Sequence, residues 1–362
     1  MKIGIIGTGR LGICVALTLC DEGYEVIGVD KNATLIQSLV DGSYASNEPE
    51  VEERLRRGKT ISFTTEIKHV LSDEVELLLV YVATPSLSDG SFDHSSIDEV
   101  IDELIALGKR HNKITFVIGS TIMPGYTKTV VDRLESLNYS VLYNPEFIAQ
   151  GSIIRDLIHP DQVLIGEDSS ESGDRLVSLY KRFIKSDPAY CRMDPLSAEI
   201  TKLATNCFLT TKISFANSIG DMTKNLGGNP EAVLSAIGKD SRIGSKYLKY
   251  GFGFGGPCFP RDNQAMISAA KSINMPLYLA EATVRVNEEH LNFQLNEQLQ
   301  ENRSIYIFDY VSYKPGTDIL VEAQQLKLAI ELVRQGRKVL IRNSELVRSQ
   351  LEEMYPGYFE FE

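Results

Sequence analysis

The chain has 362 residues, 43% apolar and 24% charged, enough for two or three domains of an ordinary soluble protein with ample core. Its formal net charge of −12 argues against a polyanion-binding surface, and so against nucleic acid as a partner, while leaving room for a local basic pocket around a phosphorylated ligand. No apolar run approaches the roughly 18 residues of a membrane span, and Met1-Lys2-Ile3-Gly4-Ile5 runs straight into a strand pattern, which argues against a signal peptide and for a cytoplasmic protein.

In chain order, residues 2–7 read as a short strand, 10–22 as a helix ending at Gly23, and 25–30 as a second strand. Residues 76–83 and 115–119 read as continuous buried strands, with 140–143 and 163–165 as two more. Helical patterns over 97–109 and 127–137 fall between them. Strands alternating with helices predict a parallel, doubly wound sheet. The pattern changes near residue 190. Asp194-Pro195 is an N-cap and first-turn pair, and a helical pattern then runs to Leu226, where Gly227-Gly228-Asn229-Pro230 stops it. That is roughly 32 residues, or about 48 Å, a length suited to a domain connection or a subunit interface. Further helices are expected over 231–238, 262–272 and 277–300. The last sixty or so residues resume a β/α pattern, with strands over 304–308 and 338–341 and a helix over 324–335.

Cys14, Cys20, Cys191, Cys207 and Cys258 form no CxxC pair and no zinc spacing. An odd, scattered count suits a reducing compartment, and Cys14, Cys20 and Cys207 fall in apolar periodic segments, as core residues do. His69, His94, His111, His159 and His290 are equally scattered, so no metal is expected.

Gly7-Thr8-Gly9-Arg10-Leu11-Gly12 is a GxGxxG between a strand and a helix, followed by Asp30 at the end of the second strand. In that context it predicts a dinucleotide site: the glycines admit a pyrophosphate onto the helix N-terminus, and Asp30 accepts from the adenine ribose hydroxyls. A carboxylate there favours NAD over NADP, a preference that neighbouring Lys31 softens slightly. FAD is the competing ligand of such a turn, and a tight turn with no ligand is the competing structural explanation.

A second glycine-rich stretch, Gly251-Phe252-Gly253-Phe254-Gly255-Gly256-Pro257-Cys258-Phe259-Pro260-Arg261-Asp262, sets one thiol just before an expected helix. A helix N-terminus and a nearby cation both favour a thiolate, and Lys202 is a candidate cation. Asp262, one turn later, is placed to orient water or act as a base. Lys202 and Asn206 share one face of the long helix. They read either as a solvated charge and a surface amide, or as an ammonium and a carboxamide that hold a developing oxyanion. Simple alcohol dehydrogenation needs no nucleophile, whereas a thiol lets an aldehyde be captured and oxidised on to the acid.

These residues closely resemble the UDP-glucose/GDP-mannose dehydrogenase family. The motifs that carry the resemblance are IGTGRLG (6–12), VATP (82–85), Ser120-Thr121, NPEF (144–147), KLATN (202–206), RIG (242–244) and GFGFGGPCFPRD (251–262). The match spans roughly residues 1–300 and, more loosely, the remainder. The resemblance implies an α/β chain with three domains: an N-terminal NAD-binding Rossmann domain over 1–192, a central helical domain with a long connecting helix over 193–300, and a shortened C-terminal Rossmann-like domain over 301–362 that binds the nucleotide sugar. It implies a homodimer through the central helices. The activity it implies is oxidation of the C6 hydroxyl of a nucleotide sugar to a carboxylate in two NAD-dependent steps. Cys258 would attack the aldehyde, hydride loss from the thiohemiacetal would leave a thioester, and water would hydrolyse it. Lys202 and Asn206 would stabilise oxyanions, Asp262 and Thr121 would position water, and Glu146 would assist proton transfer or hydrolysis. Gly7, Gly9, Arg10, Leu11, Gly12, Asp30, Lys31, Ala83, Thr84, Pro85, Ser120 and Thr121 would line the cofactor. Glu146, Phe147, Lys202, Asn206, Arg242, Tyr247, Lys249, Gly255 and Lys314 would contact the sugar nucleotide.

The branch acting on N-acetylated sugars commonly has His before the Cys and Asp-Pro soon after it. Here Pro257 precedes Cys258 and Asn263 follows Asp262, which points to UDP-glucose, with GDP-mannose and UDP-N-acetylhexosamines as alternatives. Three departures stand out. Gln150 replaces a second Glu after NPEF, Val321 replaces a usual Arg near the third-domain motif Tyr313–Asp318, and the chain ends at Glu362. The competing readings are a two-electron 3-hydroxyacid dehydrogenase, which would not need Cys258, and a weakly active or non-catalytic nucleotide-sugar-binding homologue.

Overall fold

Alternating residues of the buried strands feed two different cores. Ile3, Ile5, Leu77 and Leu79 enter one apolar cluster, while Ile6, Leu78 and Val80 enter another, because successive side chains of a strand point to opposite faces of a sheet. The structure is a computed structural model that describes residues 2–57, 60–72 and 74–362. Met1, part of the expected leaderless start, lies outside the described residues. The chain divides into two units, Met1–Lys202 and Leu203–Glu362.

In the first unit, β1 (Lys2–Ile6), α1 (Arg10–Asp21), β2 (Glu25–Val29), α2 (Ala33–Asp41), α3 (Val51–Arg56), β3 (Ile61–Thr64) and β4 (Val75–Val80) come first. They are followed by α4 (Ser95–Leu107), β5 (Ile114–Ile118), α5 (Tyr126–Leu134), β6 (Tyr139–Tyr143), α6 (Ile153–Ile158), β7 (Gln162–Gly166), α7 (Ser170–Phe183) and β8 (Ala189–Met193). The eight strands form one sheet in the order β3-β2-β1-β4-β5-β6-β7-β8. All described pairings are parallel except that of β6 with β7. Helices α1, α6 and α7 bury their apolar stripes in one core, and α4 and α5 in the other. The expected doubly wound α/β sheet is present. Several details differ from expectation, the antiparallel pairing of β6 with β7 among them. The strand over 76–83 stops at Val80, because the Ser120 hydroxyl takes the Val82 carbonyl (2.7 Å) and draws the chain out of the ladder. The edge strand β8 carries no buried apolar run, so periodicity gave no sign of it.

The long helix is α8 (Pro195–Asn225). The Asp194 carboxylate accepts from the Ser197 amide (2.9 Å) at its start, and Gly227, at φ +78°, ends it. Glu199, fully buried, accepts from the Gly125 and Thr127 amides and the Thr127 hydroxyl (2.5–2.7 Å). This ties the start of α8 to the N-terminus of α5.

The second unit holds α9 (Pro230–Gly238), α10 (Phe259–Ser272), α11 (Tyr278–Glu301), β9 (Tyr306–Phe308), α12 (Gln324–Arg334), β10 (Val339–Ile341), α13 (Glu345–Met354) and β11 (Glu360–Phe361). The last three strands form a parallel sheet, β11-β10-β9. Its core includes Tyr306, Leu328, Ile341 and Leu351, with Phe252 of the glycine-rich loop and Leu291, Leu295 and Leu299 of α11 packed against it.

Candidate active site

The GxGxxG turn has the shape its glycines require. Gly7 sits at φ +88°, and a Cβ there would strike the Tyr81 carbonyl. A Cβ at Gly12 would strike the Gly7 carbonyl, so α1 packs directly on the turn. Above Gly9 nothing lies within 4 Å, and Gly9 begins α1 with no side-chain cap. The first-turn amides of a helix suit a pyrophosphate. The Asp30 carboxylate accepts from the Thr8 amide (2.9 Å) and the Asn32 amide (2.9 Å). It braces the turn and retains lone pairs for a ribose. Lys31 reaches outward to Glu99 (2.7 Å). Arg10 and Leu11 open α1.

Strand order reverses between β1 and β4, and ligands of such sheets sit at the carboxyl ends of strands at that point. Two loops are locked together there. Thr84, 5% exposed, donates to the Thr121 carbonyl (2.8 Å), and Ser120 donates to the Val82 carbonyl. Ala83-Thr84-Pro85 and Ser120-Thr121 are therefore brought side by side. After β6, Lys202 of α8 meets the NPEF segment. Its ammonium donates to the Glu146 carbonyl (2.8 Å) and lies 4.6 Å from the Phe147 ring centroid. Burial pushes the Glu146 carboxyl up to about 7, opposed by the Lys202 charge.

In the second unit Cys258 occupies the N-cap of α10 and is exposed. No cysteine is in a disulfide. Asp262, 2% exposed, lies one turn on: its amide donates to the Cys258 carbonyl (2.9 Å), and its carboxylate accepts from the Asn206 carboxamide (2.6 Å). Asn206 and Asp262 are thus brought together. Asn263, fully buried, bonds Thr210 and the Phe259 carbonyl, so its amide serves the helix start.

The glycine-rich loop is held by residues that sequence reasoning passed over. Asn217 bonds the Gly251 amide (3.1 Å) and the Phe252 carbonyl (3.3 Å). Asn287 bonds both the amide and the carbonyl of Phe254 (2.8 and 3.0 Å). His290 bridges Asp221 (2.8 Å) and the Gly251 carbonyl (2.6 Å), and the Tyr250 hydroxyl also donates to Asp221 (2.8 Å). The available signal was faint: buried polar residues at helical spacing within α8 and α11. A Cβ at Gly253 would strike Asn287, one at Gly255 the Glu322 carbonyl, and one at Gly256 the Tyr313 ring, whereas Gly251 faces open space.

The other expected substrate residues are not among the groups that make these clamp hydrogen bonds. Arg242 is exposed and pairs with Asp240 (2.7 Å). Tyr247 stands at φ +61° with its ring 6.2 Å from that of Phe259. Lys249 is exposed. Lys314 is half-buried, and its carbonyl accepts from the Ser312 and Thr317 hydroxyls.

A glycine turn of this shape at the switch point of a doubly wound sheet marks the class of dinucleotide-dependent oxidoreductases. Comparison with known proteins narrows this. Residues 1–184 match the NAD binding domain of the UDP-glucose/GDP-mannose dehydrogenase family, and residues 196–289 match its central domain. The chain belongs to that family, and its cofactor is NAD. It is 31% identical over 346 residues to a UDP-glucose 6-dehydrogenase of Bacillus subtilis, covering 92% of this chain and 77% of that one. It is 29% identical to a GDP-mannose 6-dehydrogenase of Pseudomonas syringae, covering 99% and 84%. A solved UDP-glucose dehydrogenase from Pyrobaculum islandicum superposes with a TM-score of 0.89 at 29% identity, covering all of this chain and 85% of that one.

Proposed function

We propose that the protein oxidises the C6 hydroxyl of UDP-glucose to the carboxylate of UDP-glucuronate, through a covalent intermediate on Cys258. The observation that carries the reading is the exposed thiol at the α10 N-terminus, with Asp262 one turn away and fixed by Asn206. The α1 N-terminus and Asp30 would hold NAD, which would supply the hydride acceptor for both oxidations. The Lys202 ammonium and the Asn206 carboxamide stabilise the alkoxide-like oxygen at each stage. The Cys258 sulfur adds to the aldehyde carbon, and the thiohemiacetal that results loses two electrons to become a thioester. Asp262 and Thr121 orient the water that cleaves the thioester, returning the thiol and releasing the acid. Glu146 handles protons at this stage. Phe147, Arg242, Tyr247, Lys249, Gly255 and Lys314 bind the sugar nucleotide. Pro257 before the thiol and Asn263 after Asp262 favour UDP-glucose over an N-acetylated sugar. The setting fits a cytoplasmic enzyme. Among the described residues no helix is long and apolar enough to cross a membrane.

The reading is tested by Cys258→Ser. With UDP-glucose and NAD this variant is expected to lose turnover by about a thousandfold or more, and to retain an ester adduct with the mass of the UDP-glucuronyl group. Uronate made at the normal rate would overturn the covalent route.

A further inference from the structure

Tyr180 of α7 is buried with its hydroxyl between two oxygens. It lies 2.6 Å from the Asn144 side-chain oxygen and 2.9 Å from a Glu146 carboxyl oxygen. The Asn144 amide cannot turn over without cost. Its nitrogen donates to the Leu164 carbonyl (2.8 Å), and a flip would set two acceptors face to face. A phenol has one proton to donate. If it goes to Asn144, an ionised Glu146 would face only a phenol lone pair. If it goes to Glu146, the shorter contact to Asn144 becomes the unsatisfied one. Both contacts are hydrogen bonds only when Glu146 itself carries a proton and donates it.

We propose that Glu146 is held as a neutral carboxylic acid by a one-way hydrogen-bond chain, Glu146 to Tyr180 to Asn144 to the Leu164 carbonyl, with Tyr180 as its positioning residue. The surroundings agree. Glu146 lines a small cavity together with Leu79, Tyr81, Asn144, Leu157 and Tyr180. The ionisable groups that face it are Tyr180 from α7, Tyr81 after β4 and Lys202 from α8. Burial disfavours the carboxylate, as it disfavours both phenolates. The one cation among these, Lys202, touches the Glu146 backbone carbonyl. A neutral Glu146 leaves the charge of Lys202 for an anionic partner. The chain is independent of the proposed reaction, and only this last consequence rests on that reading. As an acid, Glu146 enters the reaction as a proton donor and not as the base that cleaves the thioester.

The test is an infrared difference spectrum, wild type minus Glu146→Gln, on the ligand-free protein at about pH 6, where an ordinary glutamate is ionised. The expected result is a protonated-carboxyl band that disappears on titration near pH 7. Absence of that band at about pH 6 overturns the proposal. In Tyr180→Phe the acid loses its acceptor, so the midpoint is expected to fall by about one pH unit, tenfold in proton affinity. A rise would mean that the phenol had been donating to a carboxylate, and no change would mean that Tyr180 sets nothing. Either contradicts the chain. The spectrum needs no substrate, so a band that titrates as expected supports the chain even where no nucleotide sugar is oxidised, and that second result counts against the proposed reaction alone.

Discussion

Cys258 differs from the other cysteines in what surrounds its sulfur. Burial pushes the Cys14 and Cys207 thiols up to about 12, with Glu48 and Asp262 adding to the rise at the two sites. Such thiols stay protonated and act as packing. Cys258 is exposed at a helix N-terminus, and for that reason it is the thiol to which we assign the proposed covalent step. The glycine-rich stretch made Cys258 legible in the sequence. Tyr180 was not legible, because only the fold sets its hydroxyl beside residues thirty-four and more positions away in sequence. Glu146 carries a further consequence. Its carboxyl titrates near 7 in the folded chain and near the ordinary value of about 4.3 when unfolded. The folded state therefore holds the extra proton between those values. The associated stability is fully present below about pH 4.3 and is lost as pH rises through about 7. Wild type is expected to lose up to the order of 1–3 kcal/mol relative to Glu146→Gln over that window, a figure discounted for a part-exposed carboxyl. Urea denaturation at several pH values measures it, and parallel curves for the two proteins would contradict it.

At the scale of elements, the chain announces what its backbone demands and conceals what its side chains do across distance. The strand runs, the GxGxxG turn and α8 were readable because glycine sterics and apolar periodicity act locally. The clamps on the glycine-rich loop were hidden: Asn217, Asp221, Asn287 and His290 look like helix-surface residues until α8 and α11 bring them to the loop. The antiparallel pairing of β7 with β6 was equally hidden, since a buried strand reads the same in either direction. The loop itself has little slack. Gly255→Ala would drive a methyl into the Glu322 carbonyl, a backbone atom that cannot swing aside. It is expected to cost about 1–3 kcal/mol of stability by thermal or urea unfolding, and to lower turnover by displacing the segment that carries Cys258. Unchanged unfolding and turnover would show that the loop yields without cost.

For the whole molecule, the proposal extends to assembly. Phe208, Phe215 and Met222 recur along one side of α8, Leu226 follows just past its end, and all four are exposed, Leu226 by 79%. Apolar side chains repeated at helical spacing on an exposed face mark an interface, and we infer that two copies of the chain meet there. Phe215→Asp, examined by sedimentation, is expected to yield monomers from a wild-type dimer. A wild-type monomer, or a variant that dimerises unchanged, would contradict the inference. We also propose that residues 193–300 and 301–362 act as separate helical and nucleotide-binding parts, as the family resemblance implies.

The central claim is that one site removes four electrons from one sugar carbon. It is tested most directly by counting NADH formed per mole of limiting UDP-glucose, with GDP-mannose and UDP-N-acetyl sugars measured in parallel. The account predicts two equivalents with UDP-glucose. One equivalent, or none with any of these sugars while NAD binds, would contradict it.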